Sequence, residues 1–294
     1  MPTTEARISR KSIRHGRRRS RWVGRIVLPL TIVLVGGAGY LALNSFRTNF
    51  GEPSCRATAL GQSATFTPEQ SANAATITAI ALKRGLPARA ATIANATAIV
   101  ESKLRNLKFG DRDSLGLFQQ RPSQGWGTEA QILDPVYATN KFYDALVKVN
   151  GYQTMEITKV AQEVQRSGFP QAYAEREEQG RILASTLAGH SLGGFGCRLD
   201  AATTSTAAAA VAARLTAEMG IPATVQAGTV RVTGRDTQQA WAAGSWAVAH
   251  AQADGIRAVT VGNRAWTRAR GEDAWSWQVA ATPIAPTSVV VTLK

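Results

Sequence analysis

A glutamate near a helix end, followed eighteen residues later by a glutamine in an irregular segment, is the pattern in this chain best suited to chemistry. The glutamate is Glu101 in IVESKLRN, and the glutamine is Gln119 in SLGLFQQRPSQGWG. Glu101 stands at the edge of an apolar stripe, four residues after Thr97 and three before Leu104. A carboxyl so placed is partly desolvated, which disfavours its charged form and raises its pKa. A proton then stays available near neutral pH, as a general acid needs if it is to protonate a departing oxygen. Between the two lie Asp111 and Asp113 in FGDRDSLG. Either could be the second carboxylate of a glycosidase, about 5–5.5 Å from the acid if retaining and about 6.5–9.5 Å if inverting. Either could equally be a turn-former or helix cap.

Other constellations carry less. His190, Ser191 and Asp200 are close in sequence, but no G-x-S-x-G setting surrounds the serine. Gly193-Gly194 lacks a following Lys-Ser/Thr, so it is no phosphate loop. His250, in WAVAHAQADG, reads as packed or solvated, and three scattered histidines argue against a His-built metal site. The reading calls for no metal and no cofactor.

The elements that must position Glu101 follow from helical periodicity. Thr67-Pro68-Glu69 is a helix start, with a capping hydroxyl, Pro at the first turn and an acid behind it. That first helix runs to about Arg84. Ala88–Arg105 is a second, with Ile93, Thr97, Val100 and Leu104 along one stripe. From Asn106 to Gly127 the period vanishes. It resumes at Asp134-Pro135 and runs through FYDALVKV, then around Ile157–Arg166 and Gln171–Leu187. After Cys197 the composition changes. An Ala-rich helix at Ala201–Gly220, or partly a linker near Thr203–Thr206, strand patterns at Thr229–Val232, Arg257–Val261, Trp275–Ala280 and Ser288–Leu293, and a helix over Thr237–Ala253 predict a small α+β domain.

The E-S at a helix end followed by G-L-x-Q resembles the lysozyme-like superfamily, and soluble lytic transglycosylases in particular, over about residues 66–189. DPVYATNKFYDAL is similar to that family's helix after the Q motif, and GLFQQRPSQGWG and EVQRSGFPQAY are similar to strings in actinobacterial wall-associated lysozyme-like proteins. The resemblance implies an α-helical fold with a saccharide groove and Glu101 as acid/base. Ser102 would help fix its surroundings, and Gly116, Leu117, Phe118 and Gln119 would line the groove. Where the family's third motif reads A-Y-N-A-G, this chain reads AQEVQRSG, leaving Gln165, Ser167 or Tyr173 to take those places. A lytic transglycosylase would use Glu101 for both steps and capture the sugar's own C6 hydroxyl, while a muramidase would need Asp111 or Asp113. Product chemistry stays open at this level.

The 294 residues allow about two domains, and 44% apolar with 18% charged residues excludes a disordered or collagen-like chain. The net charge of +14 is uneven: residues 1–25 hold nine Lys/Arg against one Glu. Twenty-one uncharged residues then follow, 26–46, a length that spans about one bilayer core as a helix. The positive-inside rule keeps the basic flank cytoplasmic, so nucleic acid is not an expected partner. A cleaved signal peptide is the rival reading, although the run is longer than such a segment needs. Cys55 and Cys197 bracket 141 residues, and an outside location favours a bridge between them over two free thiols. Five of seven tryptophans follow residue 240, and they fit core packing or a wall-binding surface.

The expected fold class is mainly α, with an N-terminal transmembrane helix, a lysozyme-like α-helical domain and a small C-terminal α+β domain. The boundaries are a basic tail (1–25), an anchor (26–46), a linker (47–65), a lysozyme-like domain (66–199) and an accessory domain (200–294). The expected function is cleavage of peptidoglycan glycan strands by a single-pass protein of the cell membrane, its C-terminal part extracytoplasmic. The alternative is an inactive wall-binding or scaffold protein.

Overall fold

A computed structural model describes residues 51–165 and 170–294. The chain enters through a hairpin, β1 (Ser54–Ala59) and β2 (Gln62–Phe66), and then forms α1 (Pro68–Lys83) and α2 (Ala88–Ser102). An irregular stretch leads to the single-turn α3 (Glu129–Ile132), then α4 (Pro135–Leu146), α5 (Ile157–Gln165) and α6 (Glu177–Leu187), the last preceded by a 3-10 segment at Pro170–Arg176. β3 (Phe195–Arg198) returns to the hairpin. The remainder is α7 (Ala208–Met219), β4 (Ala223–Gln226), β5 (Thr229–Thr233), α8 (Thr237–Ala249), the short α9 (Ala251–Asp254), β6 (Ile256–Val261), β7 (Arg264–Thr267), β8 (Gln278–Val279) and β9 (Ser288–Leu293).

The expectation of a mainly α protein is overturned. Of the described residues 46% are helical and 18% lie in strands, which form two antiparallel sheets. One sheet is ordered β2-β1-β3, the other β4-β5-β9-β6-β7-β8. The first was hidden in the stretch read as a polar connector. Cys55, Ala57 and Ala59 alternate inward along β1, but two of these three inward residues are alanines, too small to mark a strand against a polar background. Its partner β3 lies inside the Gly-rich run ending at Cys197, which reads as loop. The anchor expected at 26–46 and the basic tail lie outside the described residues. Among the described residues, no helix is long and apolar enough to cross a membrane.

Local chemistry sets the helix starts. Thr67 and Gln70 form a reciprocal capping box at the head of α1, each side chain meeting the other's backbone N–H at 3.3 and 2.8 Å. Asp134 caps α4 through the Val136 N–H, and Asp236 caps α8 through the Gln239 N–H. α1 and α2 carry so many Ala and Thr that nearly every face can be buried, as it is. α6 comes closer to α2 than ordinary side chains allow: a Cβ on Gly180 would lie 2.6 Å from the Thr92 carbonyl oxygen.

One buried core runs from the helices into the C-terminal sheet. α8 is the joint, with α1 on one side and β6 and β9 on the other. Cys55 and Cys197 are direct partners in the β1–β3 register, and a disulfide joins them, both ends fully buried. The tryptophans mostly pack. Trp246 and Trp266 are sealed inside, the latter donating to the Cys197 and Ala274 carbonyls. Trp275 and Trp277 do not share a strand face as their spacing predicts. A 3-10 turn at Glu272–Trp275 sets Trp275 under the Arg56 guanidinium at 3.7 Å, while the Trp277 indole N–H donates to the Phe195 carbonyl.

Candidate functional site

Glu101 is the next-to-last residue of α2, and the helix ends where Lys103 and Leu104 both turn left-handed, at φ 55° and 56°. Two amides from α1 hold that exit. Gln70 donates to the Lys103 carbonyl at 2.9 Å and Asn73 to the Leu104 carbonyl at 2.8 Å. Neither residue carries a catalytic signature in the sequence, and only their spacing on one face of α1 hints at a shared task.

The Glu101 carboxyl is half-buried. Burial pushes its pKa above the usual carboxylate range, against hydrogen bonds from Tyr173 and Gln165 that pull it down. The Tyr173 hydroxyl donates to Glu101 Oε1 at 2.5 Å from the 3-10 segment, its ring wholly buried. Gln165, the last residue of α5, also donates its amide to the Phe118 carbonyl at 2.8 Å. Two residues proposed to stand in for the missing Tyr and Asn thus meet the carboxyl. Ser167, the third, lies outside the described residues.

The G-L-F-Q segment sits against the end of α2. The Ser102 hydroxyl lies 2.7 Å from the Leu117 carbonyl oxygen, so it ties this segment to the residue after Glu101. Leu117 and Phe118 do not line a groove with their side chains, as the resemblance implies. They are 0% and 1% exposed, and Phe118 stacks on Phe142 with ring centroids 4.5 Å apart. Two large apolar groups anchor the loop in the core, and the carbonyls face the polar cluster. Gly116 is buried too; its carbonyl accepts from the Gln119 amide at 3.2 Å. Gln119 is half-exposed, its Oε1 lying over Gly110, where any Cβ would collide with it. Gln120, passed over in the sequence, closes the loop by pairing with Leu115 and donating to the Ala138 carbonyl.

The structure gives neither aspartate a bond to Glu101. Asp113 accepts from Arg121 at 2.7 Å through one oxygen and from the Ser123 N–H at 2.8 Å through the other. The Ser123 amide and the Arg121 guanidinium hold its carboxyl well below the usual carboxylate range. The Asp111 side chain is 92% exposed and faces Arg112. A groove of about 370 Å³ is lined by Val100, Lys103, Ala172 and Arg176 with Phe66 and Gln70; Glu101 and Tyr173 themselves are not among its lining residues.

No protein-family model matches the chain, and no curated protein matches it. The site therefore has to be read from its own geometry.

Proposed function

We propose that the protein cleaves the glycan strand of peptidoglycan, with Glu101 as general acid and then general base. The observation that carries this reading is the half-buried Glu101 carboxyl, its pKa raised by burial, clasped by Tyr173 and Gln165 beside the G-L-F-Q loop. The resemblance of E-S…G-L-F-Q to lysozyme-like proteins supplies the substrate class.

In this scheme the Glu101 proton passes to the glycosidic oxygen as the C1–O bond breaks, leaving a carboxylate and an oxocarbenium-like sugar. The Tyr173 and Gln165 hydrogen bonds stabilise the carboxylate at that moment and keep its orientation. The carboxylate then takes a proton from the nucleophile that attacks C1, and the acid is restored. With both Asp113 oxygens occupied, a one-carboxylate route fits best, the nucleophile being the sugar's own C6 hydroxyl and the product a 1,6-anhydro end. The Cys55–Cys197 bridge suits an oxidising compartment, where that polymer lies.

The test is digestion of purified sacculi by the full-length chain, with products read by mass spectrometry. Anhydro-muramyl ends are expected. Glu101→Gln should lower the rate by about 10²–10⁴-fold, the usual worth of a positioned acid/base. Reducing ends would replace the C6 hydroxyl by water, and an intact wall that the protein still binds would leave a scaffold instead.

A further inference from the structure

A cavity of about 720 Å³ opens at the junction of the Ser191–Gly194 loop with the C-terminal sheet, and Glu101 is not among its lining residues. Its apolar wall is Trp241, from the second turn of α8, and Trp277, the two rings meeting edge to face at 4.9 Å. They approach so closely beneath Gly193 that a Cβ there would touch both. Around them stand Thr237, Asn263, Arg264 and Ser276. None of these four side chains makes a hydrogen bond or ion pair among the described residues. Leu192, 58% exposed, stands at the mouth.

A concave site of this size with an apolar wall and a few convergent polar groups is the usual form of a small-ligand site. The composition of the rim narrows the ligand. Arg264 offers a planar fork of donors without a carboxylate to receive it, which suits a carboxylate better than a neutral sugar. Asn263 can both donate to and accept from a peptide amide, while the Thr237 and Ser276 hydroxyls serve either role. The two indoles are 7% and 8% exposed, so they offer a small apolar contact and little ring surface for a sugar to stack upon.

We infer that this cavity is a second recognition site, for the carboxylate-bearing peptide stem of the wall polymer. That identity rests on the proposed substrate, although the cavity's preference for an acidic peptide does not. Stem binding here would hold a strand on the protein independently of Glu101 and favour strands whose stems are intact.

The test is titration of the full-length chain with two soluble probes, a disaccharide-tripeptide cut from peptidoglycan and the same disaccharide with its lactyl carboxyl amidated in place of the peptide. Calorimetry gives the affinity and indole fluorescence reports on the cavity. The peptide-bearing probe should bind at least tenfold more tightly. Arg264→Gln should abolish that difference with an unchanged melting temperature, since the side chain is exposed, Asn263→Ala should reduce it, and Glu101→Gln should leave it intact. Equal binding of the two probes to the wild type overturns the inference, as does full discrimination in the Arg264→Gln chain. Should sacculi stay uncleaved while Arg264-dependent discrimination persists, the catalytic reading falls and this one stands. Should Glu101-dependent cleavage appear without that discrimination, the reverse holds.

Discussion

At the scale of single residues, the proposed chemistry depends on how burial and two hydrogen-bond donors set the hold on the Glu101 proton. Desolvation holds Glu101 toward its neutral form, and the Tyr173 hydroxyl pulls the other way by donating to the carboxylate. Tyr173→Phe removes one of the two opposing bonds and keeps the buried ring. The Glu101 pKa should then rise further, so the basic limb of the pH–rate profile moves to higher pH. Activity below that limb should stay within about tenfold of wild type, the worth of one such bond. A limb that stays in place, or moves to lower pH, would show that Tyr173 does not govern this proton. Glu101 was legible from its place on an apolar stripe. Tyr173 was not: its link to Glu101 spans 72 positions and arises from a 3-10 turn that no periodicity announces.

At the scale of elements, the site's precision depends on α2 lying hard against α6. Gly180 makes that approach possible, and the atoms a Cβ would meet are rigid: the Thr92 carbonyl oxygen at 2.6 Å and the Ala96 Cβ at 2.9 Å. In Gly180→Ala the helices must part by several tenths of an ångström. Overpacking of this kind costs about 1–3 kcal/mol, more than the gain in helix propensity of about 1 kcal/mol recovers. The melting temperature should fall by a few degrees, and the proposed glycan cleavage should slow with it, since Glu101 rides on α2. An unchanged or higher melting temperature would mean that the interface has slack. The helices around the site were readable because Thr67, Asp134 and an apolar period mark them. β9 was readable too, its boundaries matching the pattern at Ser288–Leu293. What escaped were strands whose partners decide them. β1 and β3 gain their identity from each other across 142 positions, and β4 and β7 are four-residue strands too short to show a period.

At the scale of the whole molecule, two links join segments far apart in the chain. The disulfide is one. Replacing Cys55 and Cys197 by serine frees a long loop in the unfolded chain, and should cost up to about 5 kcal/mol in chemical denaturation under oxidising conditions. Equal stability of the variant and the wild type would show that the sheet register alone closes the ring. The second is a buried polar cluster between α1, α7 and α8. There Glu218 accepts from Thr76 at 2.9 Å and from the Trp246 indole at 2.7 Å, and His250 Nε2 lies 3.5 Å from the same Thr76 hydroxyl. Arg214 and Asp254 pair beside them, and Asp134 adds a weaker repulsion toward Glu218. Burial raises the Glu218 pKa and lowers that of His250 to about 4. Above the ordinary glutamate range the folded cluster therefore holds a proton on Glu218 that an unfolded chain releases, while between about pH 4 and 6.5 an unfolded chain takes up a proton on His250 that the folded one refuses. The two changes act in opposite directions, so the intact cluster should give a shallower pH dependence than either group alone. Glu218→Gln leaves the histidine alone, so stability should rise with pH across the window, approaching about 1.4 kcal/mol per unit at its steepest. His250→Gln leaves the glutamate alone, so stability should fall with rising pH above the ordinary glutamate range. Denaturation midpoints of the three chains at half-unit steps of pH decide the matter. Parallel curves would mean that the cluster keeps its ordinary protonation after folding, and only slopes of opposite sign agree with a proton exchanged between two buried neighbours.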